Sequence, residues 1–203
     1  MSDMQPLFSG ELLGSLKDEA LERLDTAVDT ADLAELDADP AALDAVVDRV
    51  MPKPPVLSRD RVTFEIDETT LNTFDLLSRP RMKDGITVLL RVPFRGDGRF
   101  FDLTAAVGFE AHPRGEVDDQ QLSLEIVTAS TDENDIVAKV AEHLDRVETL
   151  LSHQSDEVER WRDAFRRAAV QAVADRKTRV AKAGRTRRAL EAAGYRHVGD
   201  ASG

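Results

Sequence analysis

Three side-chain patterns in this chain have the makings of chemistry, and each asks for something different. Asp102 and Glu125 stand where a metal-dependent nuclease places its acids: an aspartate on one strand and Glu-x-Lys on the next, two carboxylates for a divalent cation and a lysine for the attacking water. Residue 127 is Val where that lysine belongs. His112, His143, His153 and His197 are dispersed, without the His-Glu-x-x-His spacing that sets two imidazoles on one helical face. There is no cysteine, hence no thiolate ligand, thiol nucleophile or disulfide. Gly96-x-Gly98 lacks the third glycine and the following helix of a nucleotide-binding loop, and neither G-x-x-x-x-G-K-[ST] nor G-x-S-x-G occurs. No metal and no cofactor are expected, and catalysis is the weaker reading. Its remaining form is a metal-dependent hydrolase built on dispersed carboxylates such as Asp102 and Glu125.

The third pattern is a run of cations. Residues 176–196 hold eight basic side chains against the single acid Glu191. At about 100° per residue, the apolar stripe Trp161, Phe165, Ala168, Ala172 runs on into Arg176, Arg179, Ala183, Arg187 and Leu190. The seam turns from aromatic to arginine with no change of period. Lys177, Lys182, Arg185 and Arg188 fill the other faces. A helix that is polar all round is not buried in its own domain, and the arginine fork suits carboxylate or phosphate. Arg176, Lys177, Arg179, Lys182, Arg185, Arg187 and Arg188 are therefore the candidate binding residues. Three partners fit them: a protein surface (a second copy included), nucleic acid, or the chain's own acidic helices at residues 11–48.

The elements that must position these residues follow from periodicity. Leu12, Leu13, Leu16, Ala20, Leu21 and Leu24 recur at three and four, as one helical face does. A second helix is expected after Asp39, an N-cap before Pro40, with Leu43, Val46, Val47 and Val50 as its stripe. Pro52, Pro54 and Pro55 then force an extended connector. Four strands are predicted: residues 61–66, where polar and apolar alternate, 86–92, 100–107 and 122–128. A turn at 95–98 and a loop at 111–116 separate them, and the short spacings favour antiparallel pairing. From Thr131 and Asp132, both potential caps, the pattern is helical to about Ala193, where Gly194 supplies a stop. The polar stretch 152–156 predicts a break, hence a helical hairpin and not one rod of about 90 Å at 1.5 Å per residue.

The expected fold is α+β: a small antiparallel sheet of about four strands, acidic N-terminal helices and a long C-terminal helical hairpin. Its segments are an acidic helical region over 1–55, an antiparallel β region over 56–130, a hairpin with a basic end over 131–194 and a flexible tail over 195–203. A chain of 203 residues is long enough to bury roughly 70% of its unfolded surface without staples.

Charge narrows the partners. The net charge is −12, but residues 151–203 carry 12 basic and 7 acidic groups (net +5) while residues 1–150 carry 15 and 32 (net −17). The field of the whole chain repels a polyanion, which leaves nucleic acid only the C-terminal end. Apolar runs stop at three residues, as at Val88-Leu89-Leu90, far short of the ~20 that span a bilayer. The N-terminus has no basic patch followed by an apolar stretch. A cytoplasmic protein with no membrane partner is the expectation.

The stretches Val92-Pro93-Phe94-Arg95-Gly96-Asp97 and Pro113-Arg114-Gly115-Glu116-Val117, then a strand and a long helix reaching Arg176-Lys177, carry a resemblance over residues 56–193. The chain resembles accessory modules that precede effector domains, restriction-endonuclease-like or TIR-like among them, in bacterial multidomain proteins suspected of phage defence. No effector domain follows in this chain. The resemblance implies a non-catalytic targeting, sensing or assembly role beside a separately encoded effector. A non-catalytic interaction module docking through its long C-terminal helices is the leading expectation, with a nucleic-acid-binding accessory as the alternative.

Overall fold

The computed structural model describes residues 4–74, 80–104, 112–130 and 132–196. Where two N-terminal helices are expected, three form: α1 (Gly14–Thr30), α2 (Leu33–Ala38) and α3 (Pro40–Val50). Asp32 and Asp39 open the last two. The Asp32 carboxylate accepts from the N–H of Ala34 (2.8 Å) and of Glu35 (3.3 Å), and Asp39 accepts from Ala41 (2.8 Å). These donors have no partner within the first helical turn. Pro40 sits at the helix start, where its missing N–H costs nothing. Leu43, Val46, Val47 and Val50 are buried, as their spacing predicts.

The sheet is antiparallel and larger than expected. Its strands are β1 (Gln5–Pro6), β2 (Val56–Leu57), β3 (Thr63–Phe74), β4 (Pro80–Arg95), β5 (Arg114–Asp118) and β6 (Gln121–Thr128). Their order is β1-β5-β6-β4-β2, with β3 also on β4. The long β4 organises it: residues 80–91 pair with β3 and 86–93 with β6. Val88, Leu90 and Val92 oppose Ile126, Leu124 and Leu122, so one face is continuously apolar, and all six are buried.

Two expectations between β4 and β6 are corrected. Residues 100–104 do not form a strand: Gly98–Phe101 is a 3-10 turn, and the rest of the expected strand, 105–107, lies outside the described residues. Phe100 and Phe101 are both fully buried, which consecutive strand residues on a one-sided sheet cannot be, whereas a tight turn sends both inward. Phe101 stands edge-on to Phe8 (5.8 Å between centroids) and Phe94 (5.0 Å). The predicted loop 111–116 overlaps β5, because Glu116 and Val117 find partners in Ser123 and Leu122. Gly96, in the expected turn, has φ +120°, and a Cβ there would lie 2.7 Å from the Pro54 carbonyl oxygen.

The largest correction is at the C-terminal end. The expected hairpin over 131–194 is one helix, α4 (Glu133–Ala192). Asp132 caps it, accepting from Asn134 (2.8 Å) and Asp135 (3.2 Å); Thr131 lies outside the described residues. The stretch 152–156 contains neither Gly nor Pro, so only its polarity argued for a break, and that polarity is accommodated. Ser152, His153, Ser155 and Asp156 face solvent, while Gln154 is fully buried. Its amide nitrogen donates to the carbonyls of Phe100 (3.0 Å) and Leu103 (2.7 Å) at the end of the 3-10 turn. Leu144, Val147, Leu151 and Val158 share the buried stripe. Arg59, just before β3, donates to Glu148 (2.7 Å) and Asp145 of α4. Those hydrogen bonds, the one to Glu148 foremost, hold its guanidinium above its ordinary pKa.

The chain divides into two compact units, each assembled from distant segments: residues 1–16 with 52–159, and 17–51 with 160–203. The first holds the sheet. The second holds α2, α3 and most of α1 together with the later part of α4.

Gln154→Met keeps volume and removes both donated hydrogen bonds. Its expected cost is about 1–3 kcal/mol, because the Leu103 carbonyl loses its donor while that of Phe100 keeps the Leu103 N–H (3.3 Å). Chemical denaturation checks this against Ser155→Ala one residue on, expected within ±0.5 kcal/mol as an ordinary surface change.

Candidate interaction surface on the last helix

Two features of the sequence build the second unit: the four-residue repeat Trp161, Phe165, Ala169, Val173 of α4, and the stripes of α1 and α3. Trp161, Phe165, Ala169 and Val173 are buried with Ala20, Leu24, Val28, Leu36 and Val46. The spacing of four shifts the seam by one position from the expected Ala168 and Ala172, which are half-buried. Lys17 lies over the Trp161 ring, its ammonium 5.9 Å from the centroid.

Along the flanks of this seam, cations of α4 meet acids of the N-terminal helices. Arg162 pairs with Asp48, Arg166 with Asp44 (3.0 Å), Lys177 with Asp37 and Arg179 with Asp29. All are half-exposed pairs, worth at most about 1 kcal/mol each. Arg176 is different. Its guanidinium donates to the carbonyls of Val28 (2.6 Å) and Ala31 (2.7 Å), where the last turn of α1 leaves acceptors without a helical partner. A cation there also meets the negative end of the helix dipole. The seam turns to arginine at 176 because it meets the end of a helix, where carbonyls replace methyl groups.

Of the seven candidate contacts, Arg176, Lys177 and Arg179 thus bind the chain's own helices. Arg187 pairs with Glu191 one turn on (2.6 Å). Lys182, Arg185 and Arg188 make no ion pair or side-chain hydrogen bond among the described residues. They stand where α4 has lost all cover. From residue 178 to the helix end no described side chain is buried, and Val180 and Leu190 are 54% and 50% exposed.

The helix end is well made nonetheless. Gly194 has φ +89°; its N–H donates to the Glu191 carbonyl and that of Tyr195 to the Leu190 carbonyl, both at 3.0 Å. This αL closure satisfies the last carbonyls and turns Tyr195 back toward Leu190. The result is an open groove of about 590 Å³ that Ala183, Leu190 and Tyr195 line with Lys182, Arg187 and Arg196. Neither Tyr195 nor Arg196 is among the candidate contacts, since both fall in the segment expected to be a flexible tail; the αL signature of Gly194 is the signal that places both back beside the helix.

The carboxylates singled out for catalysis are not brought together. Asp102 borders a hollow shared with Gln5, Gly115 and Glu116, and Glu125, on β6 opposite Leu89, does not line it. Among the described residues no group of three or more His, Asp or Glu side chains converges on a metal-sized site. His143 contacts the Lys139 carbonyl within its own helix (2.8 Å), and His197 lies outside the described residues.

Arg176→Met is expected to lower stability by about 1.5–3 kcal/mol, the range for hydrogen bonds to a charged group. Arg185→Ala is expected to change it by less than about 0.5 kcal/mol. Phe165→Ala, at the centre of the same seam, should cost about 3–5 kcal/mol. Thermal melts of the three variants side by side check the order. Among the described residues no helix is long and apolar enough to cross a membrane. No family model matches the chain, and no curated protein and no solved structure matches it.

Proposed function

We propose that the chain is a non-catalytic interaction module that docks an acidic, partly apolar segment of another protein on the last turns of α4. One observation carries the reading. The helix continues for about five turns beyond its last buried residue, Val173, and ends in a groove lined by Ala183, Leu190 and Tyr195, beside which Lys182 and Arg196 make no ion pair or side-chain hydrogen bond among the described residues. A helix that only completes its own core has no reason to run on past its cover. Apolar side chains of the partner fill the groove, and its carboxylates meet cations that have no side-chain partner among the described residues.

The resemblance of residues 56–193 to accessory modules of bacterial defence-type proteins supports the same reading. In those terms the partner is a separately encoded effector, and a cytoplasmic setting fits it. Nucleic acid is the competing ligand for the same cations. A fluorescein-labelled amphipathic peptide, leucine on one face and glutamate on the other, and a short DNA duplex are titrated separately. Peptide binding weakened about tenfold or more, some 1.4 kcal/mol, by Lys182→Glu with Arg196→Glu, at an unchanged melting midpoint, is the expected result. Tighter binding of the duplex with a steep salt dependence would put nucleic acid in the partner's place. Binding of neither would sink the module reading.

A further inference from the structure

A second surface, in the other compact unit and independent of α4's end, has an equally specific chemistry. Among the described residues β3 hydrogen-bonds to one strand only, β4, so its other side is a bare sheet edge. The opposite edge of the sheet is closed by β1, which lays Gln5 and Pro6 along β5. An open strand edge presents a row of unpaired N–H and C=O groups, a template for another strand.

The side chains along that edge alternate in kind. Phe64 and Ile66 oppose Leu90 and Val88, so they lie on the apolar face of the sheet. Yet they are 65% and 53% exposed, whereas their partners are buried. The core face runs out to the edge and stops uncovered. On the other face, Glu65 accepts from both Nη atoms of Arg91 (2.6 and 3.1 Å). Asp67 has no side-chain partner among the described residues, and neither does Glu68, next along the strand.

This pattern selects the partner. A second copy of the chain, paired edge to edge about a two-fold axis, sets Glu65 against Glu65, Asp67 against Asp67, or Glu65 against Asp67 twice, according to whether the axis passes residue 65, 67 or 66. Like charges directly opposite each other on neighbouring strands are destabilising. A strand with apolar residues facing Phe64 and Ile66 and lysine or arginine between them meets no such penalty. We propose that the free edge of β3 accepts, by strand addition, an extended segment of a partner protein in which apolar and basic side chains alternate.

The probe is a capped peptide of alternating valine and lysine, titrated against the full chain at low ionic strength, with backbone hydrogen exchange as the second readout. The expected result is saturable binding with new protection confined to residues 63–70. Two N-methylated versions, at the valines or at the lysines, each remove the donors from one edge of the peptide; strand addition requires at least one of them to lose binding. Asp67→Lys should weaken the valine–lysine peptide about tenfold or more and admit a valine–glutamate peptide that the unaltered chain rejects. Lys182→Glu with Arg196→Glu should leave all of this unchanged, which separates it from docking on α4. No binding, binding that survives both N-methylations, or protection elsewhere than β3 overturns the proposal. So does a concentration-dependent dimer that protects β3 without any peptide, since self-pairing would then be the use of the edge.

Discussion

A helix of sixty residues has more surface than one small core can cover, and the rest of the chain is organised by that requirement. In the first unit α4 gives Leu144, Val147, Leu151 and Val158 to the core that contains the sheet's apolar face. In the second, its stripe from Trp161 to Val173 is closed by α1, α2 and α3. Each unit draws its cover from segments far away in the chain, so each is discontinuous. Beyond Arg179, the last residue of α4 to pair with the N-terminal helices, no described side chain of the helix is buried, and its surface there is open to other uses.

Gln154 shows how such a helix passes polar residues without breaking. A buried amide is costly when unpaired and specific when paired. Here it holds the carbonyls of the 3-10 turn that inserts Phe100 and Phe101 into the core. The helix interior and the irregular connection after β4 stabilise each other, and neither is intelligible alone. Arg176 plays the comparable part in the second unit: it is the cation that satisfies backbone acceptors, whereas its neighbours Lys177 and Arg179 form half-exposed pairs of small worth.

The segregation of charge has a structural consequence as well as a functional one. Acidic α1–α3 and the basic later part of α4 meet at the flanks of their shared seam, which helps to specify which segments associate. The same composition protects the open sheet edge. With acids alternating between Phe64, Ile66 and their neighbours, β3 resists pairing with itself while remaining able to pair with something else.

Much of this was legible in the residues. The α+β class, the caps at Asp39 and Asp132, the stripe of α3, the Gly194 stop and the strand over 122–128 rest on rules that act within one or two turns of chain, and all are present. Other features were not legible. Polarity over 152–156 reads locally as a break, and only the carbonyls of Phe100 and Leu103, some fifty residues away, make Gln154 a buried residue of a continuous helix. The loop that becomes β5 needed a partner strand to be recognised. The cation run was visible, but not its division into residues that serve the fold and residues left free. Arg176 reaches Val28 across 148 positions and Arg179 reaches Asp29 across 150. Periodicity tells which face of a helix a side chain occupies; what that face meets is decided by tertiary packing, because the deciding groups are neighbours in space and strangers in sequence.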